Sequence, residues 1–159
     1  MSTPNPLSPG ESAPGFAFKH ANGDADHTDN LKGKTFLVYF YPRDDTPGCT
    51  KEACAFRDLF AEFTKAGVTV IGVSCDDDNS HEKFRQKFSL PFPLAADTDQ
   101  SIVNAYGVWG PKKFMGKEYE GIHRTSFLVG PDGRILKTYP KVKPEEHAEE
   151  VLADAHAQQ

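Results

Sequence analysis

A mixed central β-sheet flanked by helices is the fold class this sequence predicts, and three observations predict it. Two continuous apolar, β-branched and aromatic runs, "TFLVYFYP" and "VTVIGVSCD", bracket one helical stretch. A second pattern of two alternating strands, "RTSFLVGPDGRILKTYP", is followed by a closing amphipathic helix. A shorter alternation near the start, with Asn22-Gly23 at its turn, adds an N-terminal β-hairpin extension. Strands that read as unbroken apolar runs are covered on both faces, and two of them joined by a helix form a right-handed parallel βαβ unit.

Taken in order, residues 1–15 are rich in Pro, Ser and Gly and read as an extended lead-in packed on a surface. "FAFKHANGDADHTDNLKGK" follows as the short hairpin, with Phe16 and Phe18 alternating and Asn-Gly supplying the turn. After the first buried strand a helix is expected from Pro47 to Lys65, with Gly67 as its C-terminal stop. Beyond the second buried strand, "NSHEKFRQKFSL" is an amphipathic helix with Phe84 and Phe88 one turn apart. "PFPLAAD" and a short helix across "TDQSIVNAYG" lead to the hairpin around Pro131-Asp132-Gly133. The last helix runs from Pro144 to Ala157 with Ala148, Val151, Leu152 and Ala155 on one face. This order is compatible with a thioredoxin-like fold, and the pattern alone leaves other small α/β folds open.

The 159 residues suit one domain spanning 1–159, with a sizeable core. With 38% hydrophobic and 26% charged residues, and no apolar run near the roughly 18 residues of a spanning helix, a membrane protein is not expected. A net charge of -5 without a Lys/Arg-rich run gives no footprint for nucleic acid, whose affinity rests on cations meeting phosphates. "MSTPNPLSPGESAPGF" has neither a basic start nor an apolar core of a secretory signal, so the cytoplasm is the expected compartment. There, three cysteines are catalytic, redox-sensing or metal-binding more readily than structural.

The chemistry concentrates in "YPRDDTPGCTKEACAFRD", residues 41–58. On a helical wheel Ala53, Phe56, Leu59, Phe60 and Phe63 share one arc, with Cys49 on the same side. Cys54 lies about 140° round from Cys49, which in an intact helix separates their Cα atoms by about 8 to 9 Å. A disulfide needs about 7 Å or less. The two thiols are therefore kept apart while the helix is whole, and joining them requires its first turns to unwind. Thr46 fits the N-cap and Pro47 the first helical position, while Gly48 permits close approach of other groups to the backbone. Cys49 then stands in the first turn, where unpaired N–H groups and the helix dipole favour a thiolate.

This segment resembles the active-site segment of the atypical two-cysteine peroxiredoxins of the bacterioferritin-comigratory, or PrxQ, type. "AYGVWGPKKFMGKEYEGIHRTSFLVGPDGRI" is similar to their second conserved block, and the likeness runs from about residue 6 to 155. The Pro-x-x-x-Thr-x-x-Cys signature is present as Pro42, Thr46 and Cys49, with a Cys five positions on. The resemblance implies a thioredoxin-like fold with an N-terminal hairpin, peroxide reduction, and recycling by thioredoxin or a glutaredoxin-like dithiol. It further implies that Cys49 is the peroxidatic and Cys54 the resolving cysteine. Pro42 would shield the thiolate, the Thr46 hydroxyl would bond thiolate and peroxide, and Arg124 would polarise the O–O bond. No metal or organic cofactor is required. Resolution within one chain also removes any chemical need for a dimer, so a monomer is expected. Glu52 matches the family's acidic position and reads as a helix N-terminal carboxylate.

Other residues invite weaker readings. Cys75 ends a strand where open α/β sheets place ligands, but it reads as an incidental thiol, and Asp76 to Asp78 as loop solvation and a helix start. None of the six histidines forms H-x-x-x-H or pairs with a CxxC, so no metal site is expected. His123 is the only histidine expected near the active site, as a structural group. Trp109 and Phe114, expected in a loop, either border the peroxide entrance or simply pack. A thiol–disulfide oxidoreductase on the same fold is the competing function, and a peroxide-sensing or holdase-type binding protein a third. C-x-x-C would favour the second and is not what stands here.

Overall fold

The structure is a computed structural model in which residues 4–157 are described, apart from the side chain of Phe114. The nine strands among them are β1 (Ala17–Lys19), β2 (Ala25–His27), β3 (Thr35–Phe40), β4 (Val68–Ser74), β5 (Leu94–Ala96), β6 (Trp109–Phe114), β7 (Lys117–Ile122), β8 (Thr125–Val129) and β9 (Ile135–Tyr139). The helices are α1 (Pro47–Asp58), α2 (Phe60–Lys65), α3 (Asp78–Phe88), α4 (Ser101–Ala105) and α5 (His147–Ala157), with a 3-10 turn at Thr28–Leu31. Seven strands form one sheet in the order β2-β1-β5-β4-β3-β8-β9. β4 lies parallel to β3 and β5, while β3–β8, β8–β9, β1–β2 and β1–β5 are antiparallel. The thioredoxin-like mixed sheet and its N-terminal hairpin are thus both present.

The unbroken apolar run of β3 has a direct cause in this topology, because both faces of the strand are covered. Leu37, Tyr39 and Tyr41 join the core shared with α1, α3 and α5, including Ala53, Phe56, Phe84, Ala148 and Val151. Phe36, Val38 and Phe40 join the opposite core, with Val103 of α4, Tyr106, Phe127 and Ile135. Gly72 in β4 is required by this packing: a Cβ there would stand 2.9 Å from the Tyr39 ring and from Leu94. Residues 4–15 pack as an extended lead-in, with Asn5 and Leu7 donating to Gly107 and Tyr106, and Gly10 to Ile135. The expectation for residues 1–3 lies outside the described residues.

Three expectations need correction. The helix expected from Pro47 to Lys65 is two helices, broken at Leu59, whose backbone leaves the helical region (φ -101°, ψ 10°). The break turns Phe60 away from the apolar arc, and it is 37% exposed, while Ala53, Phe56 and Phe63 are fully buried. Trp109 and Phe114, expected in a loop, fall in strand β6 of an antiparallel hairpin that runs from Trp109 to Ile122 and turns at Met115-Gly116, both with positive φ. Its strands alternate charge and apolar residues too weakly for a strand pattern to show. The last helix begins at His147 rather than Pro144, because Pro144 to Glu146 form a turn leading into it.

Candidate active site

Thr46 occupies the N-cap of α1 with extended backbone, Pro47 follows at the first helical position, and Cys49 falls in the first turn. The first helical bond runs from Thr50 N to Thr46 O at 2.8 Å. The cap is a backbone cap only. The Thr46 hydroxyl donates to the Arg43 carbonyl at 3.0 Å instead of capping the helix or reaching Cys49, which corrects its expected bond to the sulfur. Donating its one hydrogen leaves the hydroxyl oxygen its lone pairs as acceptors. Pro42 sits half-buried in the bend directly after Tyr41.

Arg124, between β7 and β8, is brought 75 positions back along the chain to donate through Nη2 to Cys49 Sγ at 3.2 Å. Through Nη1 it donates to Glu52 Oε1 at 2.7 Å. The close approach needs Gly48, since a Cβ there would lie 3.3 Å from Arg124 Nη2. Pro144 closes the same side, 3.7 Å from that position. Burial works against the Arg124 charge, but Glu52 and Cys49 outweigh it and hold the guanidinium above its usual value. The Cys49 sulfur is itself nearly covered, at 1% exposure.

Glu52 is the main correction to the residue reading. It lies in the second turn of α1, fully buried, and so is no exposed N-terminal carboxylate. Burial pushes its carboxyl up to about 7 against the charge and hydrogen bond of Arg124. Its second oxygen, Oε2, has no hydrogen-bond partner. Lys112 was not anticipated either. Its ammonium donates to the Ile122 carbonyl at 2.8 Å, with its stem 3.3 Å from where a Gly121 side chain would begin. Burial and then the Arg124 charge lower its value, and a Cys49 anion opposes them, so it adds a second cation to the neighbourhood. No sequence signal marked it, because the hairpin that delivers it was not legible.

Cys54 is half-exposed on α1, and Cys49, Cys54 and Cys75 are all free thiols. With α1 helical throughout Pro47–Asp58, the two thiols stay at the helical separation of about 8 to 9 Å between Cα atoms.

A buried cysteine in the first turn of a helix, with a guanidinium on its sulfur, is the arrangement of a thiol that handles developing negative charge. The AhpC/TSA family model matches residues 9–138. The chain belongs to the AhpC/TSA family. Within that family it is similar to Bcp peroxiredoxins. It is 48% identical over 143 residues to a putative peroxiredoxin bcp of Coxiella burnetii, covering 90% of this chain and 95% of that one. It is 43% identical over 148 residues to peroxiredoxin Bcp of Escherichia coli, covering 93% and 95%. A structure of Xanthomonas campestris peroxiredoxin Q matches with a TM-score of 0.85 at 35% identity, covering 99% of this chain and 100% of that one. The bacterioferritin comigratory protein of the same organism, solved for its alkyl peroxide reduction activity, matches at 0.84 and 35%, with 98% of each chain covered. The chain is accordingly a thiol peroxidase, an enzyme that consumes peroxide at the expense of a thiol reductant.

Away from the peroxiredoxin's cysteine helix, the histidines distribute differently from expectation. His123 is structural as expected, donating through Nε2 to the Pro111 carbonyl at 2.9 Å. It is not the only histidine near the site. His147 is buried between Phe56 and Tyr139 and bonds Ser126 Oγ at 2.8 Å. Its value is lowered by burial first, with Arg124 among the groups lowering it further. Trp109 is half-buried, packs against the second core and donates to Glu120 at 3.1 Å, which favours packing over a role at the entrance. The Phe114 side chain lies outside the described residues. Cys75 is half-buried and pushed up to about 12 by burial and by Asp97, Asp76 and Asp99, a thiol with little tendency to ionise. Asp77 caps α3 through the Ser80 N–H at 2.9 Å. Asp76 does more than solvate a loop, accepting from Asp44 N at 2.8 Å and from Ser74 Oγ at 2.7 Å.

Asp44, Asp76 and His81 also bring ligand-type atoms within 4.8 Å of one another. The oxygens that converge are already taken: both of Asp44 accept from Tyr41, Ser80 and His81, and Oδ2 of Asp76 from Asp44 and Ser74. The donor set is therefore a hydrogen-bonded ion pair and does not present itself as a metal centre. Among the described residues no helix is long and apolar enough to cross a membrane.

Proposed function

We propose that the enzyme reduces hydrogen peroxide and organic hydroperoxides through Cys49, with Cys54 as the resolving thiol and thioredoxin or a glutaredoxin-like dithiol as the reductant. The observation that carries the reading is the Arg124 guanidinium 3.2 Å from Cys49 Sγ. The Cys49 thiolate attacks one peroxide oxygen, an S–O bond forms as the O–O bond breaks, and the departing oxygen leaves as water or alcohol after taking a proton. Arg124 stabilises the charge as it moves from sulfur to the leaving oxygen. The Thr46 hydroxyl accepts from the peroxide, and Pro42 keeps water from the sulfur. The first turns of α1 then unwind, Cys54 displaces water from the sulfenic acid, and an intramolecular disulfide results. An external dithiol reduces it by exchange through a mixed disulfide and is itself oxidised.

The near-complete cover over Cys49 fits small, slender oxidants. The Xanthomonas campestris relative, whose alkyl peroxide reduction is described, supports organic hydroperoxides as substrates. We read the chain as one domain over residues 1–159, working as a monomer in the cytoplasm. Disulfide exchange on protein clients is the alternative activity, and a C-x₄-C pair on an intact helix supports it less well than it supports the peroxidase.

Single-turnover peroxide loss followed by intact-mass measurement tests the assignment. Cys49→Ser is expected to abolish peroxide consumption. Cys54→Ser is expected to consume one equivalent, gain one oxygen, and fail to recycle with thioredoxin. A Cys49→Ser protein that consumes peroxide at the wild-type rate rules the assignment out.

A further inference from the structure

We propose that His81 of α3 is a positioning residue for the peroxide reaction, holding Asp44 and through it the turn that presents Thr46 and Cys49. The inference rests on the peroxidase reading above. Asp44 lies in the turn joining β3 to α1, and it is held from several elements at once. The Tyr41 hydroxyl donates to its Oδ1 at 2.6 Å. Ser80 Oγ donates to its Oδ2 at 2.8 Å and His81 Nδ1 at 2.7 Å. Its own N–H donates to Asp76 Oδ2 at 2.8 Å. His81 is 2% exposed and Asp44 9%, so these bonds are sheltered from water.

The ring's partners define its charge. Nε2 stands 2.9 Å from the Ala95 carbonyl, which only accepts, so that nitrogen carries a hydrogen. Nδ1 faces a carboxylate that already accepts from two hydroxyls. Both nitrogens donate, and the ring is an imidazolium. Burial disfavours that charge, but the Asp44 hydrogen bond and charge, the Ala95 carbonyl and Asp76 outweigh it and hold the proton to higher pH than an ordinary imidazole does.

The same helix grips the next residue. Asp45 has φ 57°, a backbone conformation that a residue with a side chain keeps only where its surroundings enforce it. Lys87 takes its carboxylate at 2.7 Å. Thr46 closes the turn on Arg43 O. The start of α1, and with it the meeting of Cys49 Sγ and Arg124, is therefore set by what α3 does to Asp44 and Asp45. When His81 loses its proton, the Asp44 carboxylate faces a lone pair, the turn loosens, and the sulfur loses its alignment.

Other charged groups stand beside His81. Asp76 faces it from the end of β4. Asp78, Glu82 and Arg85 of α3 line the adjoining cleft with Lys19 of β1, which pairs with Asp78 at 3.1 Å. Tyr41 is kept protonated by burial and by Asp44.

The test combines His81→Gln with an NMR titration of the wild type. In the reduced wild type, the His81 ring is expected to titrate above the ordinary value of about 6.5, with the Thr46 and Cys49 amide signals moving at the same midpoint. The single-turnover rate constant is expected to fall along the same alkaline curve. His81→Gln is expected to react about tenfold more slowly at neutral pH, the scale of a small misplacement, and to lack the part of the alkaline fall that follows the His81 midpoint, any change set by Glu52 near 7 being common to both proteins. Circular dichroism melting at each pH shows whether the variant is folded. A folded His81→Gln with the wild-type rate and alkaline fall overturns the proposal, as do Thr46 and Cys49 amides that ignore the His81 titration. If the variant does not fold, the wild-type titration decides alone. That titration uses no peroxide, so its failure is distinct from a failure of the peroxidase reading, which shows as activity retained by Cys49→Ser.

Discussion

Arg124 divides its guanidinium between two buried groups, the Cys49 sulfur at 3.2 Å and the Glu52 carboxylate at 2.7 Å. The two bonds use different nitrogens, Nη1 for Glu52 and Nη2 for the sulfur, so both groups face one cation at once. The Glu52 carboxyl is pushed from 4.5 up to about 7 by burial, against the charge and hydrogen bond of Arg124. The consequence for stability has a definite sign. Between about 4.5 and 7 the folded protein holds the Glu52 proton and the unfolded chain does not, so stability falls as pH rises through that window and the loss is complete above it. The full loss is roughly 3 kcal/mol. Glu52→Gln cannot ionise and lacks this fall. Denaturant unfolding of both proteins at pH 5 and pH 8 is expected to show the variant gaining on the wild type by that order at the higher pH. Parallel pH–stability curves would contradict the buried, proton-holding carboxyl.

The cysteine helix is held by its buried face, which carries Ala53 and Phe56. Phe56 of α1 is fully buried, stacks on Tyr39 at 4.8 Å between ring centroids, and touches Phe63, Phe92 and His147. Phe56→Ala is expected to cost about 3 to 5 kcal/mol in urea unfolding, the scale for removing a buried aromatic ring. Cys49 and Cys54 stand upstream of that anchor, and the proposed unwinding is confined to the turns around them. Oxidation by one equivalent of peroxide is expected to reduce far-ultraviolet helical signal and open new protease cuts within residues 48–56, while 57–65 stay protected. Identical spectra and cleavage maps in both redox states would contradict local unwinding. The break at Leu59 and the β6–β7 hairpin have one lesson in common. An apolar arc on a wheel does not show that the helix stops inside it, and a hairpin rich in lysine and glutamate carries almost no alternation for a reader of sequence to find.

Across the whole molecule, the sheet places the ends of β3 and β4 beside the start of α1, so that residues far apart in the chain meet at Cys49. Among the described residues, the exposed large apolar side chains are Phe60, Met115 and Tyr119. Phe60 lies on α2, and Met115 and Tyr119 on the β6–β7 hairpin, and we read these three as too few for the extended apolar patch that a stable dimer buries. Light scattering is therefore expected to report the mass of one chain in both reduced and oxidised protein, and a stable dimer mass in either state would refute the monomer. What could be read from the chain alone was whatever is written locally. The doubly buried strands, the hairpin turns, the Thr-Pro-Gly-Cys start of α1 and the spacing of Cys49 and Cys54 all follow from short-range steric and periodic rules, and the family motif named Arg124. The tertiary structure decided which charges face one another. Glu52 became a buried partner of Arg124, His81 a buried partner of Asp44, and Lys112 a second cation. Burial and the field of distant groups set the chemistry of an ionisable side chain, and neither quantity exists until segments separated by tens of residues have packed together.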